Sequence, residues 1–174
     1  AKAIEKKDSL AQNALYHLGI CCIETNDKSN AKAMFKEASE MDFDMTIKEK
    51  ALLNYAKVAC ETSSAYNEPL KAFQTFTEQF PNSDKANEAK EYLAQLYGEM
   101  KNYRDAIEMI EQMSERNLSV NKAYQRLCLN RAIELFNENR TDDALIYLDK
   151  SLSQTHDNSL TAAAYYLKAE AYHQ

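Results

Sequence analysis

The 174 residues predict an all-α chain built from successive pairs of helices. Three observations carry that expectation. Two glycines and two prolines are far fewer than the turns of a sheet protein require. Ala, Leu, Glu and Lys, all good helix formers, dominate the composition. A small residue also returns at a nearly fixed interval, at Gly19, Ala56, Ala94 and Ala132, with spacings of 37, 38 and 38 positions.

Each of these positions has a downstream companion. Ala31, Ala72, Ala106 and Ala144 follow by 12, 16, 12 and 12 positions, and a bulky residue stands four further on, at Phe35, Phe76, Ile110 and Leu148. This phase predicts two helices per unit. The first helices are expected over 9–25, 46–63, 84–99 and 119–138, and the second over 29–41, 68–80, 103–115 and 141–153. The turn residues agree. "TNDKSN" after the first helix favours turns and caps. Pro69 suits the first turn of a helix, where its missing N–H costs nothing. Pro81 closes a helix and leaves Asn82 or Ser83 as the next cap, and Thr141 is expected to cap its helix ahead of two acids. The units run roughly over 9–45, 46–82, 83–118 and 119–157, with 158–174 the first helix of a further unit. Residues 1–7 read as the tail of a preceding second helix, so the expectation is one solenoid over 1–174, cut from a longer array.

These residues resemble the tetratricopeptide repeat (TPR) family. In the first unit Leu18 and Gly19 stand at the family's Leu-Gly pair, and Ala31, Phe35 and Ala38 at its Ala, Phe and Ala. In the third, Leu93, Ala94, Tyr97, Ala106 and Ile110 fit the same frame. The chain departs from the pattern in lacking Trp at the fourth position and in the extra residues around "SSAYN". The resemblance implies a right-handed α-α superhelix of about four hairpins with partial units at both ends, acting as a scaffold that binds a protein or peptide on its concave face. The alternative is a structural, self-associating segment of a larger protein, including a homo-oligomer.

Several function classes fit poorly. A net charge of −6 opposes nucleic acid, which needs clustered Lys and Arg. No apolar run approaches the roughly 20 residues that span a bilayer. "HLGICC" places His17 and Cys21 one helical turn apart, as metal ligands stand, but further ligands are lacking, and Cys21, Cys22, Cys60 and Cys128 are expected to be packing residues. No phosphate loop, nucleophile elbow or HExxH occurs, so neither enzyme activity, metal nor cofactor is expected.

The family's groove positions, carried over residue by residue, imply a binding surface of Asn13, Tyr16, Ile20, Leu53, Lys57, Glu91, Gln95, Arg126, Leu129, Ile133 and Phe136. It is apolar at its ends and acidic in its middle. Members that clamp a C-terminal carboxylate use Lys, Arg and Asn. Here Tyr16, Ile20, Glu88 and Tyr92 occupy those places and Asn54 alone matches, so that clamp is not expected. Aspartate at Leu53 or Ile133 should abolish partner capture and leave the helices intact. A second resemblance lies in Phe80 to Ser83, Ala86, Ala89, Tyr92 to Ala94 and Tyr97, which is similar to bacterial envelope repeats of the outer-membrane assembly and Tol-associated proteins. It implies a periplasmic setting, against which the four thiols lean towards the cytoplasm.

Overall fold

A computed structural model describes residues 8–173, and the expected preceding helix at residues 1–7 lies outside them. The described residues form nine helices and no strand. They are α1 (Ser9–Glu24), α2 (Lys28–Ser39), α3 (Met45–Thr62), α4 (Asn67–Gln79), α5 (Ala86–Glu99), α6 (Tyr103–Glu111), α7 (Leu118–Asn137), α8 (Thr141–Leu152) and α9 (Asn158–His173). The chain is thus all-α, as its composition and spacing predict. It divides into two compact units, Ala1–Ala89 and Lys90–Gln174.

In the first unit α1 packs on α2, α2 on α3 and α3 on α4. The small residues allow this. A Cβ at Gly19 would sit 2.7 and 2.8 Å from two ring carbons of Phe35, so only glycine lets α1 approach α2 this closely. Ala31, Phe35, Ala56, Ala72 and Phe76 are fully or almost fully buried along the same seams. Asp8, Asp27 and Asp44 cap α1, α2 and α3, each accepting from a backbone N–H in the first turn. Pro69 is buried in the first turn of α4, where its fixed φ fits.

Among the described residues of the second unit, apolar side chains gather in two clusters. One gathers Ala94 of α5, Ile107 and Ile110 of α6, and Val120, Leu127 and Cys128 of α7. The other joins Leu129 and Ala132 of α7, Leu148 of α8 and Ala164 of α9.

Three first helices end alike. Asn26, Lys101 and Asn139 take φ of 57°, 58° and 58° just past α1, α5 and α7. The next N–H bonds back to the helix, from Asp27 to Cys22 O at 2.8 Å, Asn102 to Tyr97 O at 2.8 Å, and Arg140 to Leu135 O at 2.9 Å. This left-handed cap turns each chain into its second helix. After α3, Ser63 is instead extended, with φ −89° and ψ 135°, and the extra residues of "SSAYN" make the longer turn.

Most boundaries shift by one or two residues from expectation, and three of the differences have a visible local cause. α5 starts at Ala86, two residues late, because Ser83 builds a turn: its carbonyl accepts from Ala86 N–H at 3.1 Å and its hydroxyl donates to Glu49 at 2.5 Å. α6 stops at Glu111, and the Gln112 carbonyl past its end accepts from Lys90 at 2.9 Å. Thr141 is the first helical residue of α8 rather than its cap. The left-handed turn at Asn139 puts Arg140 in the cap position, where its guanidinium pairs with Asp143 at 2.6 Å.

Two buried glutamines, unnoticed in the sequence, fasten the loops between hairpins. Gln12 Nε2 donates to Met41 O at 2.8 Å and Asp44 O at 3.1 Å, while its Oε1 accepts from Asp44 N–H at 2.8 Å. Gln125 repeats this in the second unit: Nε2 donates to Asp157 O at 3.1 Å and Oε1 accepts from Asp157 N–H at 3.0 Å. Asp44 and Asp157 then cap the helices that follow. The signal was available, since both glutamines stand seven residues before the small residue of their helix, Gly19 and Ala132.

Candidate functional site

In the first unit the expected groove residues are dispersed in character. Asn13 is exposed on α1, while Tyr16 and Ile20 are half-buried. The Tyr16 ring leans on Phe35, with centroids 5.9 Å apart. Lys57 is tied to Glu88 at 2.5 Å. Leu53 is only 7% exposed and belongs to the core of α3. Its expected place on an open groove is corrected, since the side chain is spent on packing.

In the second unit three of the expected residues come together. Glu91 and Gln95 on α5 and Arg126 on α7 line one groove of about 460 Å³. The α5 wall is Glu91, Gln95 and Glu99, with Gln95 Nε2 donating to Glu99 Oε1 at 3.1 Å. The α7 wall is Ser119, Ala123, Arg126 and Asn130, one stripe of that helix. Ala94, Gly98, Val120 and Leu127 form an apolar floor. Gly98 keeps the floor low, because a Cβ there would meet Leu127 Cδ2 at 3.1 Å. Ser119, Ala123 and Asn130 escaped the sequence reading, although their spacing along α7 places them on Arg126's side.

Leu129 does not join this groove. At 4% exposure it is part of the core between α7, α8 and α9, and its expected groove role is likewise corrected. Ile133, 39% exposed, lines a neighbouring hollow of about 260 Å³ with Lys101, Tyr103 and Asn137. Phe136 is half-buried further along α7.

The back of α7 carries a polar cluster that holds three helices together. Glu111 of α6 accepts from Tyr124 Oη at 2.6 Å and from Lys150 of α8 at 2.8 Å. Burial pushes the Glu111 carboxyl up, but those hydrogen bonds hold it below its ordinary value. Burial also pushes the Cys128 thiol up to about 12, so it stays protonated as a packing group. The other cysteines are less uniform than expected. Cys22 and Cys60 are half-buried and Cys21 is exposed, which corrects its reading as a packing residue. His17 is exposed and meets the Tyr16 ring edge-on at 5.3 Å. Among the described residues no three His, Cys, Asp or Glu side chains converge as metal ligands, and no helix is long and apolar enough to cross a membrane.

The tetratricopeptide repeat family profile matches residues 12–45, which begin at the clamp residue Gln12 and end with the first residue of α3. No curated protein sequence gives a significant match. Solved structures of MamA share the fold. One from MSR-1 aligns at TM-score 0.57 and 16% identity over 93% of this chain and 87% of that chain. One from AMB-1 gives 0.54 and 14% over 94% and 84%, and a further MamA crystal structure 0.61 and 17% over 92% and 86%. At such identity the likeness is one of fold. Residues 12–45 thus match a tetratricopeptide repeat by sequence, and the paired helices with their small-residue seams share the fold of these structures.

Proposed function

We propose that this chain is a protein-interaction scaffold that holds a segment of another protein against its first helices, with no bond made or broken. The observation that carries the reading is the groove between α5 and α7. Its volume of about 460 Å³, buried apolar floor and polar rim suit a docked protein segment. Its walls include Glu91, Gln95 and Arg126, which the repeat register had already marked as groove residues.

A photo-cross-linking side chain at Gln95, in the protein within its own cells, tests this. Cross-links should form to a defined partner, and should be lost when Ala123→Trp, at an exposed wall position, fills the groove. Equal cross-linking from Ile146, exposed on α8 and outside the groove lining, or indifference to Ala123→Trp, would overturn the reading.

One observation favours a self-associating role alongside it. α9 exposes Tyr165, Tyr166 and Tyr172, a large aromatic surface for a single helix. Sedimentation equilibrium decides: a dimer dispersed by Tyr166→Lys would establish that role, and a monomer at all concentrations would remove it.

A further inference from the structure

The groove reading leaves the chemistry of the bound segment open, and the charges on the two walls address it. We propose that the groove takes an amphipathic helix carrying two basic side chains two turns apart on one flank, which pair with Glu91 and Glu99; this rests on the groove reading above.

Glu91, Gln95 and Glu99 follow one another at four-residue steps and form a stripe along α5. Eight residues of helix place Glu91 and Glu99 about 12 Å apart along the axis. Among the described residues neither forms an ion pair with a Lys, Arg or His. Lys90, next to Glu91 in sequence, is engaged elsewhere, donating to the Gln112 carbonyl at 2.9 Å. The lining therefore carries two carboxylates on α5 against one cation, Arg126, on α7. A ligand that matches this has basic groups on one flank and tolerates an acid on the other.

The walls also select the ligand's conformation. Both are helices, whose backbone N–H and C=O groups away from the ends are bonded within the helix, so an extended segment finds no strand edge to pair with. A helix satisfies its own backbone. Laid along α5, such a helix carries side chains at i and i+7 on one flank about 10.5 Å apart, within about 2 Å of the axial spacing of Glu91 and Glu99. Its apolar face then meets Ala94, Gly98, Val120 and Leu127, where the small residues leave room for leucine-sized groups.

The test uses the full chain and three fluorescein-labelled 18-residue helical peptides with the same leucine face, carrying Lys, Gln or Glu at the two flank positions. Two rim pairs of up to ~1 kcal/mol each predict about tenfold tighter binding of the Lys peptide than of the Gln peptide at low salt. The preference should shrink as salt rises and reverse in Glu91→Lys/Glu99→Lys, both at surface positions, with helix content checked by circular dichroism. Equal binding of all three peptides, abolished by Ala123→Trp, would overturn the charge assignment and leave the groove standing. Absence of binding by all three, or binding indifferent to Ala123→Trp, would overturn both.

Discussion

Replacing Gln12 by Met tests the loop clamps and allows the cost to be counted group by group. Gln12 is fully buried at the start of α1. Met has nearly its length and volume, so packing is largely kept. What goes are the hydrogen bonds, and the backbone groups they serve differ in what they keep. The Ala38 carbonyl still accepts from Met41 N–H at 3.4 Å and the Asp44 carbonyl from Lys48 N–H at 2.9 Å. The Met41 carbonyl and the Asp44 N–H lose Gln12, their partner at 2.8 Å in each case. An orphaned buried polar group costs about 1–3 kcal/mol. Two such groups, with Asp44 half open to water, give about 3 kcal/mol. The same substitution at Gln125 should cost about half as much. There the Asp157 carbonyl keeps the Thr161 N–H at 2.9 Å and the Thr161 hydroxyl at 2.8 Å, so the loss falls on the Asp157 N–H. Urea denaturation followed by far-UV circular dichroism measures both, with unchanged m-values confirming that compactness is not altered. If Gln125→Met costs as much as Gln12→Met, or both fall within about 0.5 kcal/mol of the parent, the count of orphaned groups does not set the cost.

Glycine to alanine should separate the two glycines. Gly19→Ala drives a Cβ into the buried Phe35 ring and should cost about 1–2 kcal/mol despite alanine's better helix propensity, whereas Gly98→Ala meets only the flexible end of Leu127 and should be neutral or stabilising in a thermal melt. Lys101→Gly, at φ 58°, relieves a left-handed backbone and should add about 1 kcal/mol, and a lowered melting temperature would refute that cap. The Glu68 carboxyl is held down from 4.5 to about 2, first by the Ser63 hydroxyl, against the opposing effect of burial, with Lys32 and Tyr55 adding to it. A lowered folded pKa gives stability that is present above pH 4.5 and lost as pH falls towards 2, so Glu68→Gln should flatten that acid limb, and an unchanged limb would show that the cluster is not what titrates there. Aspartate at Leu53 should melt the helices of the first unit, because Leu53 is core, while Ile133→Asp should keep full helix content; matching spectra for the two would contradict their different burial.

What could be read from the sequence was whatever repeats with a single physical cause. Gly19 meeting Phe35 is a steric requirement of two crossing helices, and the same requirement returns at Ala56, Ala94 and Ala132, so the phase of one hairpin located the others. Helix ends were legible where a residue type is forced, as at Asp27 or Pro69, and less so where geometry decides. Thr141 has good cap chemistry, yet the left-handed turn at Asn139 fixes where α8 begins.

The groove was half legible for a related reason. A carried-over register says which way a side chain starts from its helix, but not whether a neighbour covers it. Glu91, Gln95 and Arg126 share one groove, whereas Leu129, on the same helix as Arg126, is shut in by Leu148 and Ala164. The two fates follow residue chemistry as well as position. Leucine gains by closing over a seam, while a charged or amide side chain is left at the rim unless its hydrogen bonds are met inside. Gln12 and Gln125 show that exception, since each is buried where a loop's backbone needs both a donor and an acceptor and glutamine offers both. The residues to suspect in the groove of such a repeat are therefore polar ones at lining positions with no backbone group to serve. On α5 that condition is met by Glu91 and Glu99, the two carboxylates to which the proposed basic ligand is assigned.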